Sequence, residues 1–275
     1  MSDNTIPIRR PPSNVDPARP PEQPIYPTEI ISLPTKGWFY PEGNPLCSGE
    51  VEIKQMTARE EDILANQELI KKGKVLDRLL QSIVVNKEIA IEKILVPDKN
   101  ALFIGIRRLA YGDTYPVNVT CPSCGERSKV DINLSEIKEK DIDVTHYPKG
   151  QNSFPFTLPK SGITVTYKLL NQNDDQQIEK ELLGIRKISK ENTAELTTRL
   201  KYLITSVNND FDKEVVRKFV DEQLLAVDSR ALREHIRTNT PDIDMTFDFV
   251  CSSCNFERRL DIPMGASFLW PDLET

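Results

Sequence analysis

The sequence predicts an α+β fold in two related halves, and three observations lead to it. Two C-x-x-C pairs, Cys121-Pro-Ser-Cys124 and Cys251-Ser-Ser-Cys254, lie 130 residues apart. Around them residues 98–134 align without gaps to 228–264, with ten identities in 37 positions, against about two expected by chance. Ahead of each copy the signals come in the same order: an alternating strand, a capped helix and a helix of apolar period. Repetition of this kind outranks any local reading of secondary structure. The repeated material runs over about 46–134 and 158–264.

Taken in order, the elements begin with a proline-rich stretch. Residues 1–27 hold eight prolines, which exclude a helix and leave little apolar surface to bury. The stretch reads either as a tail without a fold of its own or as an extended arm that orders against a partner. Arg9 and Arg10 give it local positive charge and are its candidate partner contacts. The first half, 28–134, opens with short strands at Glu29–Leu33 and Gly37–Tyr40 around a Pro34–Gly37 turn. Gly49–Met56 alternates as a strand, and Thr57-x-x-Glu60 reads as a capping box. Helices follow over Glu60–Val85, broken near Asn66 and Gly73. Asp98 is placed to cap the next helix. Strands at Pro116–Thr120 and Ser128–Asn133 flank the first cysteine pair.

Residues 135–159 read as a charged linker without clear period. In the second half, 160–264, Gly162–Leu170 alternates as a strand and Asn171-x-x-Asp174 approximates a capping box. Glu179–Leu183, Glu191–Val207 and Lys213–Val227 read as helices, and Asp228 repeats the role given to Asp98. Strands at Met245–Val250 and Arg258–Ile262 flank the second pair. The tail, 265–275, ends the chain with Phe268-Leu269-Trp270. Three large apolar residues there either pack back on their own domain or dock into a neighbour as an anchor.

The cysteine pairs carry the clearest chemistry. Two C-x-x-C pairs supply four thiolates, enough to close one tetrahedral zinc site. Gly125 and Asn255 follow the second cysteine of each pair, and both residue types tolerate the left-handed turn that wraps a metal. Neither half completes the site alone, so Cys121, Cys124, Cys251 and Cys254 are expected to hold one structural Zn2+ about a pseudo-two-fold axis. Local disulfides or free thiols are the alternative. A redox C-x-x-C belongs at a strand-to-helix turn, whereas these lie between strands. The fifth cysteine, Cys47, reads as a small, partly buried apolar residue.

Composition narrows the rest. The chain has 275 residues, 38% hydrophobic and 28% charged, with net charge −6. Those values suffice for a core and give no electrostatic reason for nucleic-acid binding. No apolar run reaches membrane-spanning length and no charged-then-apolar leader opens the chain. Cysteines kept for metal suit a reducing cytoplasm. Phosphate-binding, dinucleotide, nucleophile-elbow and H-E-x-x-H motifs are absent, and only His146 and His235 are available, so an enzyme is not expected. Glu60-Glu61 and Asp174-Asp175 suit first helical turns. Arg107-Arg108 and Arg258-Arg259 are expected to pair with nearby acids.

Three stretches point to a family. They are Leu33-Pro-Thr-Lys-Gly37-Trp-Phe-Tyr40-Pro41, Met56-Thr-Ala-Arg-Glu60-Glu61-Asp-Ile-Leu64 and Gly73-Lys-Val-Leu76-Asp-Arg-Leu-Leu80. With them the chain resembles the T-even-type bacteriophage baseplate family, the hub and hub-assembly proteins of contractile-tailed phages. The resemblance covers 28–134 closely and the remainder by order of elements. It implies a non-enzymatic protein of tail morphogenesis that builds or joins the central baseplate hub. Its partners would be other hub proteins and the tape-measure protein. It would occupy the host cytoplasm during assembly and the tail baseplate of the virion. The zinc expectation rests on this sequence and not on the family. Two alternatives stay open: a zinc-ribbon nucleic-acid adaptor, and a transient assembly chaperone absent from the mature particle.

Overall fold

The computed structural model describes residues 27–188, 194–264 and 266–269. The first hairpin pairs β1 (Thr28–Ser32) with β2 (Glu50–Lys54), antiparallel, with Ile31 opposite Val51. Val51 and Ile53 of β2 are buried while the alternate glutamates face water, as period-two patterning demands. Helices α1 (Ala58–Ala65), α2 (Gln67–Lys71) and α3 (Val75–Ile83) follow. The breaks fall where expected, with Asn66 capping α2 and Gly73 at positive φ before α3. On α3 the buried residues Val75, Leu79, Leu80 and Ile83 form one stripe. Helix α4 (Val96–Tyr111) is buried over most of its length and runs through the core. It leads into the hairpin of β3 (Thr114–Thr120) and β4 (Arg127–Asn133).

The second half repeats this plan. Strands β5 (Phe154–Thr157), β6 (Thr164–Tyr167) and β7 (Ile204–Val207) form a three-stranded sheet around α5 (Gln172–Ile188) and α6 (Glu195–Leu203). Then α7 (Lys213–Lys218) runs through a π-turn at Phe219–Gln223 to α8 (Ala226–Asn239). Helix α8 leads to the hairpin of β8 (Thr246–Val250) and β9 (Glu257–Asp261), and the short α9 (Ala266–Leu269) ends the described chain. Mixed helices and small antiparallel sheets make this an α+β fold, with two halves of the same plan.

Side-chain geometry carries the likeness further. Lys54 reaches the capping carboxylate of Glu60 at 2.8 Å. Lys168 reaches Asp174 at 2.7 Å. In each case the same acid also accepts from the backbone N–H of the cap residue, Thr57 at 2.9 Å and Asn171 at 3.1 Å. In the turn joining β1 to β2, Leu33-Pro-Thr-Lys-Gly37 presents Thr35 to the buried Asp98. In the turn joining β5 to β6, Leu158-Pro-Lys-Ser-Gly162 presents the N–H groups of Lys160 and Ser161 to the buried Asp228, at 2.8 and 3.0 Å. Gly37 and Gly162 both have φ of 69°.

Several expectations are corrected. Asp98 and Asp228 do not cap their helices. The N-caps are Leu95 and Leu225, and each Asp lies three residues on, in the first turn, turned inward to receive the hairpin turn. A carboxylate fully out of water takes buried donors in preference to the end of its own helix. Gly37–Tyr40 is a turn and not a strand: Phe39 and Tyr40 are buried by side-chain packing without any ladder. Residues 204–207, expected to continue a helix, form β7, because pairing with β6 satisfies their backbone. The segment 135–159 is not structureless, since Phe154–Thr157 form β5. Arg108 and Arg259 find acids, Asp113 and Asp244, but Arg107 finds none among the described residues. Its guanidinium is buried beside the rings of Tyr111 and Tyr115 and donates to the carbonyl of Phe268 at 3.0 Å.

One apolar core joins the halves. It runs from Leu33 and Phe39 through Leu79, Leu102 and Ile106 to Val165, Leu232 and Leu269. The turn between β1 and β2 is longer than its counterpart by residues 38–48, and this extra piece reaches across. Phe39 meets Tyr147 and Phe154 edge-on, at 5.9 and 5.1 Å, and Trp38 Nε1 donates to Tyr147 O at 2.7 Å. Backbone bonds Val96 N to Leu170 O and Lys140 N to Asp242 O, both 2.8 Å, tie the halves further.

Candidate metal centre

Each cysteine pair lies at the tip of a hairpin. In the first, Cys121 N–H bonds Glu126 O and Gly125 N–H bonds Cys121 O, at 2.8 and 2.9 Å. The second reproduces both bonds, with Cys251 to Phe256 O and Asn255 to Cys251 O, at 2.9 and 3.0 Å. Gly125 has φ of 77° and Asn255 of 55°, so both knuckles use the left-handed residue expected of them.

The two tips meet. All four Sγ atoms lie within 4.8 Å of one another. Cys121 Sγ is 3.7 Å from Cys254 Sγ, and Cys124 Sγ is 3.7 Å from Cys251 Sγ. The first cysteine of each knuckle thus faces the second of the other, as a two-fold relation between hairpins requires. A zinc–sulfur bond of about 2.3 Å gives tetrahedron edges of about 3.8 Å, which matches these spacings. A disulfide needs about 2.05 Å, and none is formed. The donor set and spacing therefore fit a tetrahedral metal centre.

Its surroundings are asymmetric in depth. Cys121 and Cys251 are buried in a small apolar cluster with Phe249, fringed by Val119, Val130, Phe247, Phe256 and Leu260, while Cys124 and Cys254 face solvent. Burial opposes ionisation of Cys121. The N–H groups of Cys124 and Ser123 and the neighbouring thiols outweigh it and hold the group down to about 7. At Cys124 the Glu126 N–H favours the thiolate, but the crowd of sulfurs around it pushes the thiol up to about 12. Four sulfurs at this spacing ionise together only where a cation shares their charge.

The other candidate residues fall elsewhere. Phe268 and Leu269 are 1% and 2% exposed, in this chain's own core, with Phe268 edge-on to Tyr115 at 4.9 Å. Packing back is thus the arrangement found, and neither side chain is presented to a neighbour. Their burial follows from α9 folding onto α4, where the C-terminal carbonyl of Phe268 meets the Arg107 guanidinium. Arg9, Arg10 and Trp270 lie outside the described residues. Sequence reasoning missed the pairing of Thr35 with Asp98 and of Lys160 and Ser161 with Asp228. The signal was the recurrence of L-P-x-x-G at 33–37 and 158–162, hidden because the stretch from Asp174 to Asp228 is longer than that from Glu60 to Asp98, and the longer first turn only partly offsets this, so the motif falls outside the 130-residue register.

A family model described as T4 bacteriophage base plate protein matches residues 40–270, which take in the second half, the first half from Tyr40 onward and all four knuckle cysteines. The chain belongs to this family. No curated protein and no solved structure matches this baseplate protein significantly. Among its described residues no helix is long and apolar enough to cross a membrane. Membership implies a structural role in the phage tail, in contact with other baseplate proteins.

Proposed function

We propose that this baseplate protein is a non-enzymatic component or assembly factor of the baseplate hub, stiffened by one zinc ion at Cys121, Cys124, Cys251 and Cys254. The observation that carries the metal assignment is the crossed 3.7 Å sulfur spacing. Four protein thiolates fill a tetrahedral shell and leave no open position for a substrate or water, which makes the ion structural rather than catalytic. Tetrahedral all-sulfur donors select zinc or iron, and elemental analysis of the purified full chain separates them. One zinc per chain is expected; two metals, iron, or none after folding in zinc-replete medium overturns the assignment.

The family match supports the tail role, and the hub assignment is the finer reading. Partners on this reading are other hub proteins and the tape-measure protein, with Arg9 and Arg10 of the proline-rich arm as candidate contacts. The net charge of −6 speaks against a nucleic-acid adaptor. Mass spectrometry of purified particles and of infected-cell extracts tests the role. Abundant peptides in the particle identify a subunit of the virion baseplate. Peptides in the extract alone, co-purifying with hub proteins, identify an assembly chaperone acting in the host cytoplasm. Co-purification with no tail protein in either sample defeats both.

A further inference from the structure

The two knuckle hairpins stand side by side with a cleft of about 550 Å³ between β4 and β8. One end is closed by the backbone bridge in which Asp244 N–H bonds Lys138 O and Lys140 N–H bonds Asp242 O. The knuckles and their sulfurs lie at the opposite ends of the same two strands. Four consecutive residues of β4, Val130–Asn133, and three of β8, Thr246–Asp248, border the cleft. A cleft over one face of a strand would meet only alternate residues, so this one runs along strand edges.

Register shows which backbone groups point into it. Cys121 bonds Glu126, and Leu134 N–H bonds Asp113 O. In an antiparallel ladder bonded and non-bonded pairs alternate, so Pro116 and Asp131 are a non-bonded pair. The N–H and C=O of Asp131, and by alternation of Asn133, therefore point away from β3. In the other hairpin, Cys251 bonds Phe256 and Ile262 N–H bonds Met245 O, so Thr246 and Asp248 point theirs away from β9. Neither β4 nor β8 has a second strand partner among the described residues. The outer edge of β3 is blunted by Pro116, which has no N–H to offer; β4 and β8 carry no proline.

We infer that the cleft between β4 and β8 accepts one extended, proline-free, basic segment of a partner protein as an added strand. Main-chain bonds to a free edge supply affinity, and alternate side chains supply selectivity. The selectivity here is for positive charge. Asp131, Glu136, Asp244 and Asp248 line the cleft against Lys138 and Arg259 alone. Arg259 is already engaged by Asp244 at 2.5 Å and Asp248 at 3.7 Å. Half-buried Val130, Ile137 and Phe247 provide an apolar floor for the alternate side chains. The protein's own arm does not meet the requirement, because prolines at 7, 11, 12, 17 and 20 interrupt every stretch that holds an arginine. The inference is independent of the hub assignment, since it concerns a mode of peptide binding and not the identity of the partner.

The test uses the full chain and a capped peptide of three Lys-Val repeats, followed by calorimetry and by amide exchange. Binding is expected with Kd on the order of 100 µM, with new protection at the amides of Asp131, Asn133, Thr246 and Asp248. Replacing the central Val of the peptide by Pro, or its lysines by Glu, is expected to weaken binding at least about tenfold. The double substitution Asp131→Lys and Asp248→Lys, at two exposed positions, is expected to abolish it while leaving the melting temperature unchanged. Absence of binding by the Lys-Val peptide, equal binding of the proline-containing peptide, or protection confined to other strands overturns the inference.

Discussion

At Asp98 a single buried carboxylate answers three donors: the Thr35 N–H at 3.1 Å, and the Thr35 and Tyr40 hydroxyls at 2.7 Å each. Tyr40 in turn accepts from Leu95 N–H at 2.9 Å. Asp98→Ala leaves these donors buried without a partner, and the expected loss is about 2–4 kcal/mol in denaturant unfolding. Burial, eased in part by the Tyr40 and Thr35 bonds, raises this carboxyl to about 6. Its folded value lies above the unfolded one, so its contribution to stability falls as pH rises from about 4 to 6. Glu60 acts with the opposite sign. Desolvation opposes its ionisation, yet Lys54, Ser82 and Thr57 hold it down to about 2, from an ordinary value of 4.5. Its stabilisation is complete above pH 4.5 and is lost as pH falls toward 2. Glu60→Gln should therefore flatten the acid limb of a stability–pH curve; an unchanged limb would show that other carboxylates set it. With the proposed zinc at the four cysteines, Cys124→Ser should lower the melting temperature sharply and abolish zinc binding in elemental analysis. Cys47→Ser should do neither, since Cys47 stands outside the four-cysteine cluster and a serine hydroxyl can replace its sulfur as donor to the carbonyls of Tyr40 and Pro41.

Among elements, the turns discriminate most. A Cβ on Gly37 would meet Leu46 O at 2.4 Å and the Cys47 backbone at 2.8 Å, at a φ of 69°. Gly37→Ala should therefore cost more than the roughly 1 kcal/mol of left-handed strain alone, because the colliding atoms are main chain. Gly125 has a similar φ but open space around it. Gly125→Asn should be nearly neutral, because Asn255 holds the same position in the other knuckle. Thermal unfolding of the two variants compares them directly; equal losses would remove the distinction between strain and collision. The knuckle hairpins themselves are two-stranded, and isolated two-stranded ribbons are marginal in water. Here their bases are held by the core, through Tyr115, Val117, Ile132 and Ile262, and their tips meet at the cysteine cluster.

For the whole molecule, the four-cysteine cluster and the core share the joining of the halves. A structural zinc is worth about 10–16 kcal/mol in small peptides, comparable to the total stability of a domain. The continuous core and the aromatic contacts of Phe39 with Tyr147 and Phe154 nonetheless bind the halves away from the cysteines. Chelation should then lower the melting temperature without separating the halves. Small-angle scattering should give an unchanged radius of gyration, while amide exchange should rise selectively in Thr114–Thr120, Arg127–Asn133, Thr246–Val250 and Glu257–Asp261. A large expansion on chelation would mean that the metal is the principal joint.

The sequence by itself determined the α+β class, the duplication, the capping boxes at Thr57 and Asn171 and the four sulfurs that meet. Each is a local pattern or a repeat of one, and local patterns survive in one dimension. Tertiary structure alone decided where Asp98 and Asp228 point, that Gly37–Tyr40 packs as a turn, that 204–207 becomes a strand, and that Phe268 and Leu269 turn inward. In each of these a buried group took the partner that desolvation made most valuable, and that partner lay far away along the chain. The same holds for the cleft, since a free strand edge exists only once both hairpins have been set side by side.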